Sequence, residues 1–458
     1  MLTSLSLHGF KCFKNKVNLK LAPINIFIGP NNSGKSTILQ SLLLLKQTIN
    51  SEQRDLVLRI NGPDFDFGSY EEIVSENKLS CNFELGVTVK DRSGEHGWKI
   101  EFSAGKKGRF IFPRRFVHTF NGDVVLDAHS SDRGNFDKVD VRFPHDNPKL
   151  LNLCKKKITI KGEGRIARDF SFIDFCLTPD LSYEFVEMFL KKKLNPTHSR
   201  RSELRVNHKI RQMRNEMERI FSPIPIADFF ARMSYIAPLR NFPSRVYTYT
   251  GTGGRQLGSK GEDTAEFLYK KFSSHTKDGV NFRRHLKKWF ANAGIATDIK
   301  PEKLIKSFYQ LKIRGSKTGA FYNISDVGFG NSQILPVVVN LFGGGQGMAH
   351  VIEQPEIHLH PKAQCELGSL CLYAKKTKQQ LFIETHSFDL VTRLRRYIAE
   401  GKLSNEDLNI YYVNQRSGVG VVRKLQINQD FSFKNWPKGF FDERYKEIQH
   451  IARKRSAH

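Results

Sequence analysis

Residues Gly29-Pro-Asn-Asn-Ser-Gly-Lys-Ser36 form a G-x-x-x-x-G-K-S string. These residue types at this spacing cradle phosphate: glycines let the backbone approach closely and turn its N–H groups toward phosphate oxygens. Gly29, Asn31, Asn32, Ser33, Gly34, Lys35, Ser36 and Thr37 are therefore the expected nucleotide-binding residues. Lys35 is expected to reach the β- and γ-phosphates of ATP, and Ser36 to hold Mg²⁺.

The second half of the chain supplies acids. Met348-Ala-His-Val-Ile-Glu-Gln-Pro-Glu356 predicts a buried strand ending in carboxylates. A carboxylate at such a strand end can hold Mg²⁺ and orient an attacking water. Glu353 is the first candidate, shared with Ser36 as a metal-side residue, and Glu356 is the next. Leu381-Phe-Ile-Glu-Thr-His-Ser387 predicts a further buried strand ending in His386, placed to donate to a γ-phosphate or sense its loss. Ser325-Asp-Val-Gly-Phe-Gly-Asn-Ser-Gln-Ile-Leu-Pro336 predicts a glycine turn feeding a helix, either a second phosphate-directed helix N-terminus or an ordinary cap.

The elements that position these groups are legible in outline. Ile24–Ile28 is a β-branched apolar run, predicted as a buried strand, and residues 36–46 form a helix. Phe10-Lys-Cys-Phe13 is expected on a turn between two strands. Residues 51–180 are β-rich, with strands expected over 79–89, 98–103 and 139–143. Residues 183–221 are predicted helical and broken at Asn195-Pro196. Their arginines, among them Arg200, Arg201 and Arg205, make either a solvated hairpin or a contact for a polyanion or partner. No aromatic residues interleave them for base stacking, so a nucleic-acid contact there would be to phosphate. A glycine- and threonine-rich loop spans 247–258, a helix is expected over 262–272, and alternating strands and helices return from 320 to 427.

Lys and Arg total 73 against 46 Asp and Glu, a formal charge of +27, so the chain should attract polyanions. Nucleic acid, an acidic protein and a merely soluble basic surface all remain compatible with that field. No apolar run reaches 18 residues, which predicts no membrane span. The N-terminus lacks a basic start and an apolar segment, which argues against secretion. Cys12, Cys81, Cys154, Cys176, Cys365 and Cys371 are scattered without a C-x-x-C pair, the pattern of reduced cytosolic thiols, so a cytoplasmic location is expected.

The motifs together resemble the ABC-type ATPases of the SMC, RecF and OLD kind, and more narrowly the AAA15 group. The residues that carry the resemblance are Leu7-His-Gly-Phe-Lys-Cys-Phe13, the glycine loop at 29–36, Tyr235-Ile-Ala-Pro-Leu-Arg240, Val327-Gly-Phe-Gly-Asn-Ser-Gln333, Ile352-Glu-Gln-Pro-Glu-Ile-His-Leu-His-Pro361, Glu384-Thr-His-Ser387 and Trp436-Pro-Lys-Gly-Phe-Phe-Asp442. It implies an α/β fold, an ABC/SMC-type P-loop ATPase head with a mixed β-rich and helical-hairpin insertion. On this reading residues 1–85 and 231–458 form the head, 86–180 a β-rich region and 181–230 the basic hairpin.

The resemblance also implies a head-to-tail ATP sandwich, in which Gly330, Asn331, Ser332 and Gln333 of one copy act on ATP bound by another. His358 and His360 would sit at the dimer seam, not on a metal. Many relatives carry glutamate directly after the first strand-end acid as general base; here that residue is Gln354, which cannot take a proton as glutamate does. Slow hydrolysis is the expectation. Stand-alone ATPases of this size resemble the ATPase subunits of bacterial anti-phage systems, PARIS-like first and Septu-like second. The implied partners are a homo-oligomer (a dimer at least, up to a hexamer), a separate nuclease effector of Toprim or HNH type, and an acidic viral trigger protein or nucleic acid. The alternative is a RecF- or SMC-like DNA-repair ATPase without a toxin partner.

Overall fold

The computed structural model describes residues 1–51, 57–105, 110–130, 136–141, 158–161, 219–220, 224–251, 257–437 and 440. The chain divides into two interleaved compact units: Met1–Lys20 with Gln40–Ala231, and Leu21–Leu39 with Arg232–His458. The expected helices over 183–221, with Arg200, Arg201 and Arg205, fall almost wholly outside the described residues.

The first unit is built on an antiparallel sheet. Its strands are β1 (Leu2–His8), β2 (Val17–Lys20), β4 (Phe83–Lys90), β5 (Glu95–Ala104), β6 (Ile111–Phe120), β7 (Asp123–Ser130), β8 (Phe136–Val141) and β9 (Ile158–Lys161), in the order β2-β1-β4-β5-β6-β7-β8-β9. Every neighbouring pair is antiparallel. Alternating patterns such as Leu5 and Leu7 in β1 turn one face inward, as a one-sided sheet requires. Phe10 and Phe13 pair across the turn expected from the sequence, and both are fully buried. Phe10 packs on Phe83, which stacks on Phe102 at 5.0 Å. Helix α2 (Tyr70–Ile73) closes this cluster: the Tyr70 hydroxyl reaches the Cys81 and Phe102 carbonyls at 2.9 and 3.0 Å. Helix α3 (Ile224–Ala231) ends the unit.

The second unit carries a six-stranded sheet of β3 (Ile24–Ile28), β10 (Met233–Ile236), β15 (Ala349–Glu353), β16 (Gln380–Glu384), β17 (Leu408–Arg416) and β18 (Val419–Leu425), ordered β10-β15-β16-β3-β17-β18. The first five strands run parallel, and β18 returns antiparallel. β3, β10, β15 and β16 are buried at every position, the mark of a parallel sheet covered on both faces. A smaller antiparallel sheet joins β11 (Tyr247–Thr248), β12 (Asp298–Lys303), β13 (Phe308–Arg314) and β14 (Tyr322–Asn323). The helices are α4 (Thr264–Ser273), α5 (Lys277–Ala293), α6 (Phe329–Gly343), α7 (Pro361–Lys376) and α8 (Phe388–Ala399). Helix α1 (Lys35–Ile49) starts in this unit, and its residues from Gln40 on belong to the first.

Agreement with the sequence is close where runs are apolar: β3 occupies 24–28 as expected. The strand expected to end in His386 stops at Glu384, because Ser387 already caps α8 by accepting from the Leu390 N–H at 3.1 Å. Among the described residues no disulfide involves Cys81, Cys365 or Cys371. Among the described residues no helix is long and apolar enough to cross a membrane.

A directional hydrogen-bond chain ties α6 to the sheet core. The Gln379 amide nitrogen donates to the Leu341 and Gly344 carbonyls, so its oxygen must accept from His350 Nε2 at 2.8 Å. His350 Nδ1 therefore accepts from Ser234 Oγ at 2.7 Å, and Ser234 Oγ accepts from the Asn340 amide at 2.8 Å. Burial pushes the His350 imidazole down to about 4. The unfolded chain takes up this proton near 6.5 and the folded one only near 4, so this contribution is intact above 6.5 and lost as pH falls toward 4. That gap is worth about 3 kcal/mol. We expect denaturant unfolding at pH 7.5 and 4.5 to show a smaller pH-dependent loss in His350→Gln than in the parent; equal losses would remove His350 from the acid response.

Candidate nucleotide site

Parallel pairing brings the C-terminal ends of β3, β15 and β16 to one edge of the sheet, where open α/β sheets bind ligands. The chain leaves β3 through Gly29 at φ 152°, where a Cβ would lie 2.0 Å from the Val413 carbonyl oxygen. Only glycine fits there. Asn32 and Gly34 also have positive φ, 58° and 99°, and α1 starts at Lys35. Asn31 is exposed on the loop, and Thr37 is half-buried in the first helical turn. Ser33 is 3 % exposed, and its hydroxyl has no hydrogen-bond partner among the described residues. That oxygen lies 3.1 Å from where a Gly29 Cβ would be, inside the curl of the loop.

Lys35 is buried. Its ammonium donates to the Pro30 carbonyl at 2.8 Å and lies 3.8 Å from Glu384 Oε1. Burial lowers its pKa, opposed by the charges of Glu384 and Glu356. Ser36 Oγ donates to Glu384 Oε2 at 2.7 Å. Glu384 is the register partner of Glu353 across β15 and β16. Burial raises both acids: Glu353 reaches about 7, helped by the Glu384 charge, while the Tyr235 hydrogen bond and Arg240 pull it back. The Tyr235 hydroxyl donates to Glu353 Oε1 at 3.0 Å.

Gln354 sits at φ 44°, and its N–H donates to the Glu384 carbonyl at 2.8 Å. Glu356 accepts from Thr385 Oγ1 at 2.8 Å and from the His386 N–H at 2.5 Å. The His386 imidazole has its pKa lowered by burial and by Lys35. The sequence-predicted acids, histidine, lysine and serine therefore do converge.

The glycine turn at 325–336 becomes the start of α6. Gly330 lies where a Cβ would fall 2.3 Å from the His358 carbonyl oxygen, so the turn and the His358 loop need glycine to approach. Gly330 and Asn331 are half-buried, Ser332 and Gln333 buried. The Gln333 amide exchanges hydrogen bonds with the Arg240 backbone at 3.3 Å in both directions, so within this chain that side chain is already engaged. His358 and His360 are exposed, and His360 caps α7 by accepting from the Ala363 N–H.

The sequence marks Glu384, Tyr235 and Arg240 only as members of longer motifs. Glu384 had one usable signal: it is the charged residue ending an apolar strand, as Glu353 is. Hydroxyl and carboxylate oxygens at the loop suit a hard cation such as Mg²⁺. Among the described residues no three His, Cys, Asp or Glu gather to hold a metal by themselves. A Mg²⁺ here would be of the kind completed by phosphate oxygens and water.

The loop, the edge acids and the parallel sheet define an α/β P-loop ATPase. The chain belongs to the AAA ATPase domain family AAA_15, whose model matches residues 1–225 and 181–391. Residues 403–451 match a second family model, described as a protein of unknown function, DUF3696. No curated protein matches the chain. Among solved structures, the SMC head domain from Thermotoga maritima is similar at 10% identity and TM-score 0.40, covering 93% of this chain and 99% of that one. An SMC head bound to the C-terminal winged-helix domain of ScpA is similar at 11% identity and TM-score 0.44, covering 94% and 98%. An SMC head with an extended coiled coil, bound to the C-terminal domain of ScpA derived from Pyrococcus furiosus, is similar at 12% and 0.41, covering 98% and 99%.

Proposed function

We propose that this chain binds Mg²⁺ and ATP at Gly29–Thr37, hydrolyses ATP slowly, and acts in the cytoplasm as the sensor and scaffold subunit of an anti-phage system that controls a separate nuclease. The observation that carries the ATPase part is the meeting of Lys35, Ser36, Glu353 and Glu384 at one sheet edge. Loop and helix N–H groups hold the phosphates, and Lys35 exchanges the Pro30 carbonyl for phosphate oxygen. Bound Mg²⁺ would offset negative charge on the phosphates. Ser36 and Glu353 would hold the metal, and His386 would meet the γ-phosphate.

Gln354 can orient a water but cannot accept its proton. Turnover is therefore expected well below the order of 10 per second common among enzymes. Gln354→Glu should raise steady-state phosphate release about tenfold or more, in line with the typical gain from a placed general base. An unchanged rate would detach slow turnover from this position.

Gly330, Asn331, Ser332 and Gln333 would act on ATP held by a second copy, making a dimer the smallest working unit and a hexamer the larger assembly. The defence role rests on the family resemblance, with a Toprim nuclease first and an HNH nuclease second, and an acidic viral protein as trigger. The net charge of +27 also favours the second reading, a DNA-binding repair ATPase. Co-purification with the product of the neighbouring reading frame, with and without ATP, separates them. A stable nuclease complex supports defence. Recovery of the chain alone, with ATP-stimulated and steeply salt-dependent duplex binding, supports repair.

A further inference from the structure

Lys35 and Ser36 are the two side chains the glycine loop must offer to phosphate and metal, and here both face one carboxylate that is neither in the loop nor at the expected acid position. Glu384 is 2 % exposed, with Oε2 on the Ser36 hydroxyl at 2.7 Å and Oε1 3.8 Å from the Lys35 ammonium. Its place is set by the sheet and not by a mobile loop: β16 lies between β15 and β3, with Glu384 in register with Glu353 on one side and Phe27 on the other. The Ser33 hydroxyl, buried inside the adjacent loop without a partner among the described residues, independently marks a space built for a polar ligand.

We propose that Glu384 is a Mg²⁺-side ligand of this site, sharing the ion with Ser36, and that before loading its carboxylate holds the Lys35 and Ser36 side chains the nucleotide needs. The inference rests on the ATP-binding reading above and names a residue that reading did not require. Its consequence follows from charge. ATP alone brings several negative charges toward a buried carboxylate that already holds the lysine, so the two compete and repel. With Mg²⁺ present the same carboxylate becomes a ligand and the repulsion turns into attraction. Glu384 thereby makes ATP binding conditional on the metal.

The test is binding of a fluorescent ATP analogue, measured with EDTA and with Mg²⁺. The parent should bind at least tenfold more tightly with Mg²⁺. Glu384→Gln, nearly isosteric, should change affinity in opposite directions: tighter than the parent in EDTA, weaker in Mg²⁺, with the ratio falling about tenfold. Mn²⁺ binding in the presence of ATP, followed by its electron paramagnetic resonance signal, should weaken in parallel. Ser36→Ala gives a second approach from the loop side, and the double variant should lose no more Mg²⁺ dependence than either single variant. A parental ratio in Glu384→Gln would overturn the proposal while leaving ATP binding intact, whatever Ser36→Ala does. A parent that binds no nucleotide in either condition would overturn both this and the ATPase reading.

Discussion

Lys35→Ala is expected to lower ATP affinity by about 10²-fold or more, enough to abolish function at ordinary nucleotide concentrations. The size follows from what the ammonium does. A hydrogen bond to a charged group is worth about 1.5–3 kcal/mol, the upper end being roughly a hundredfold in affinity, and a buried ammonium on phosphate oxygen belongs at that end. Lys35 is also the cation that faces Glu384 and, at longer range, Glu356, both buried acids. Without it those carboxylates meet the phosphates unshielded. Lys35→Met, which keeps most of the stem and removes only the charge, should lose as much affinity as Lys35→Ala, because the loss is electrostatic and not a matter of packing. Isothermal titration of ATP with Mg²⁺ into each variant decides this, and near-parental affinity in either would end the argument that this loop binds nucleotide.

How much of this could be read from the chain depends on the range of the contacts involved. β3 was legible because four apolar residues out of five, Ile24, Ile26, Phe27 and Ile28, precede a glycine loop whose chemistry is local. β15 was legible for the same reason, and Glu353 with it. Glu384 was not, although it ends an equally buried strand. Its meaning comes from parallel pairing with residues 353 and 27, and no periodicity within 380–387 encodes which strands will be neighbours. The division of the chain is similar: residues 21–39 fold with 232–458, while 1–20 fold with 40–231. Local patterns fix strands and turns on both sides of each break, but the partnering is decided by contacts hundreds of residues apart. Gln333 shows the same limit at one residue, since nothing in its glycine-rich surroundings encodes the two hydrogen bonds that its side chain exchanges with the Arg240 backbone.

Arg240 is where the largest loss of stability is expected. It is 4 % exposed. Its guanidinium donates to the Gln333 carbonyl at 3.2 Å and to the Glu353 and Gln354 carbonyls at 2.8 and 3.4 Å, so it joins the first turn of α6 to the end of β15. Burial pulls its pKa down to about 10, against the charges of Glu356 and Glu353, so it stays charged at neutral pH. Arg240→Ala removes the guanidinium from three carbonyls, of which that of Gln354 keeps the Ile357 N–H, and leaves two buried acids without their nearby cation; breaking such a buried set by removing one partner costs about 3–5 kcal/mol. The loss should grow with pH. Glu353, already raised to about 7, is largely neutral at pH 5.5 and needs no cation there, whereas at pH 8 it is mostly ionised and does. Arg240→Lys should recover only part of the stability, because one ammonium cannot span carbonyls on two elements as the planar fork does. Urea unfolding of the three proteins at pH 5.5 and 8 measures all of this. A deficit under about 1 kcal/mol, equal at both pH values, would show that the guanidinium is not what holds α6 to the strand that carries Glu353.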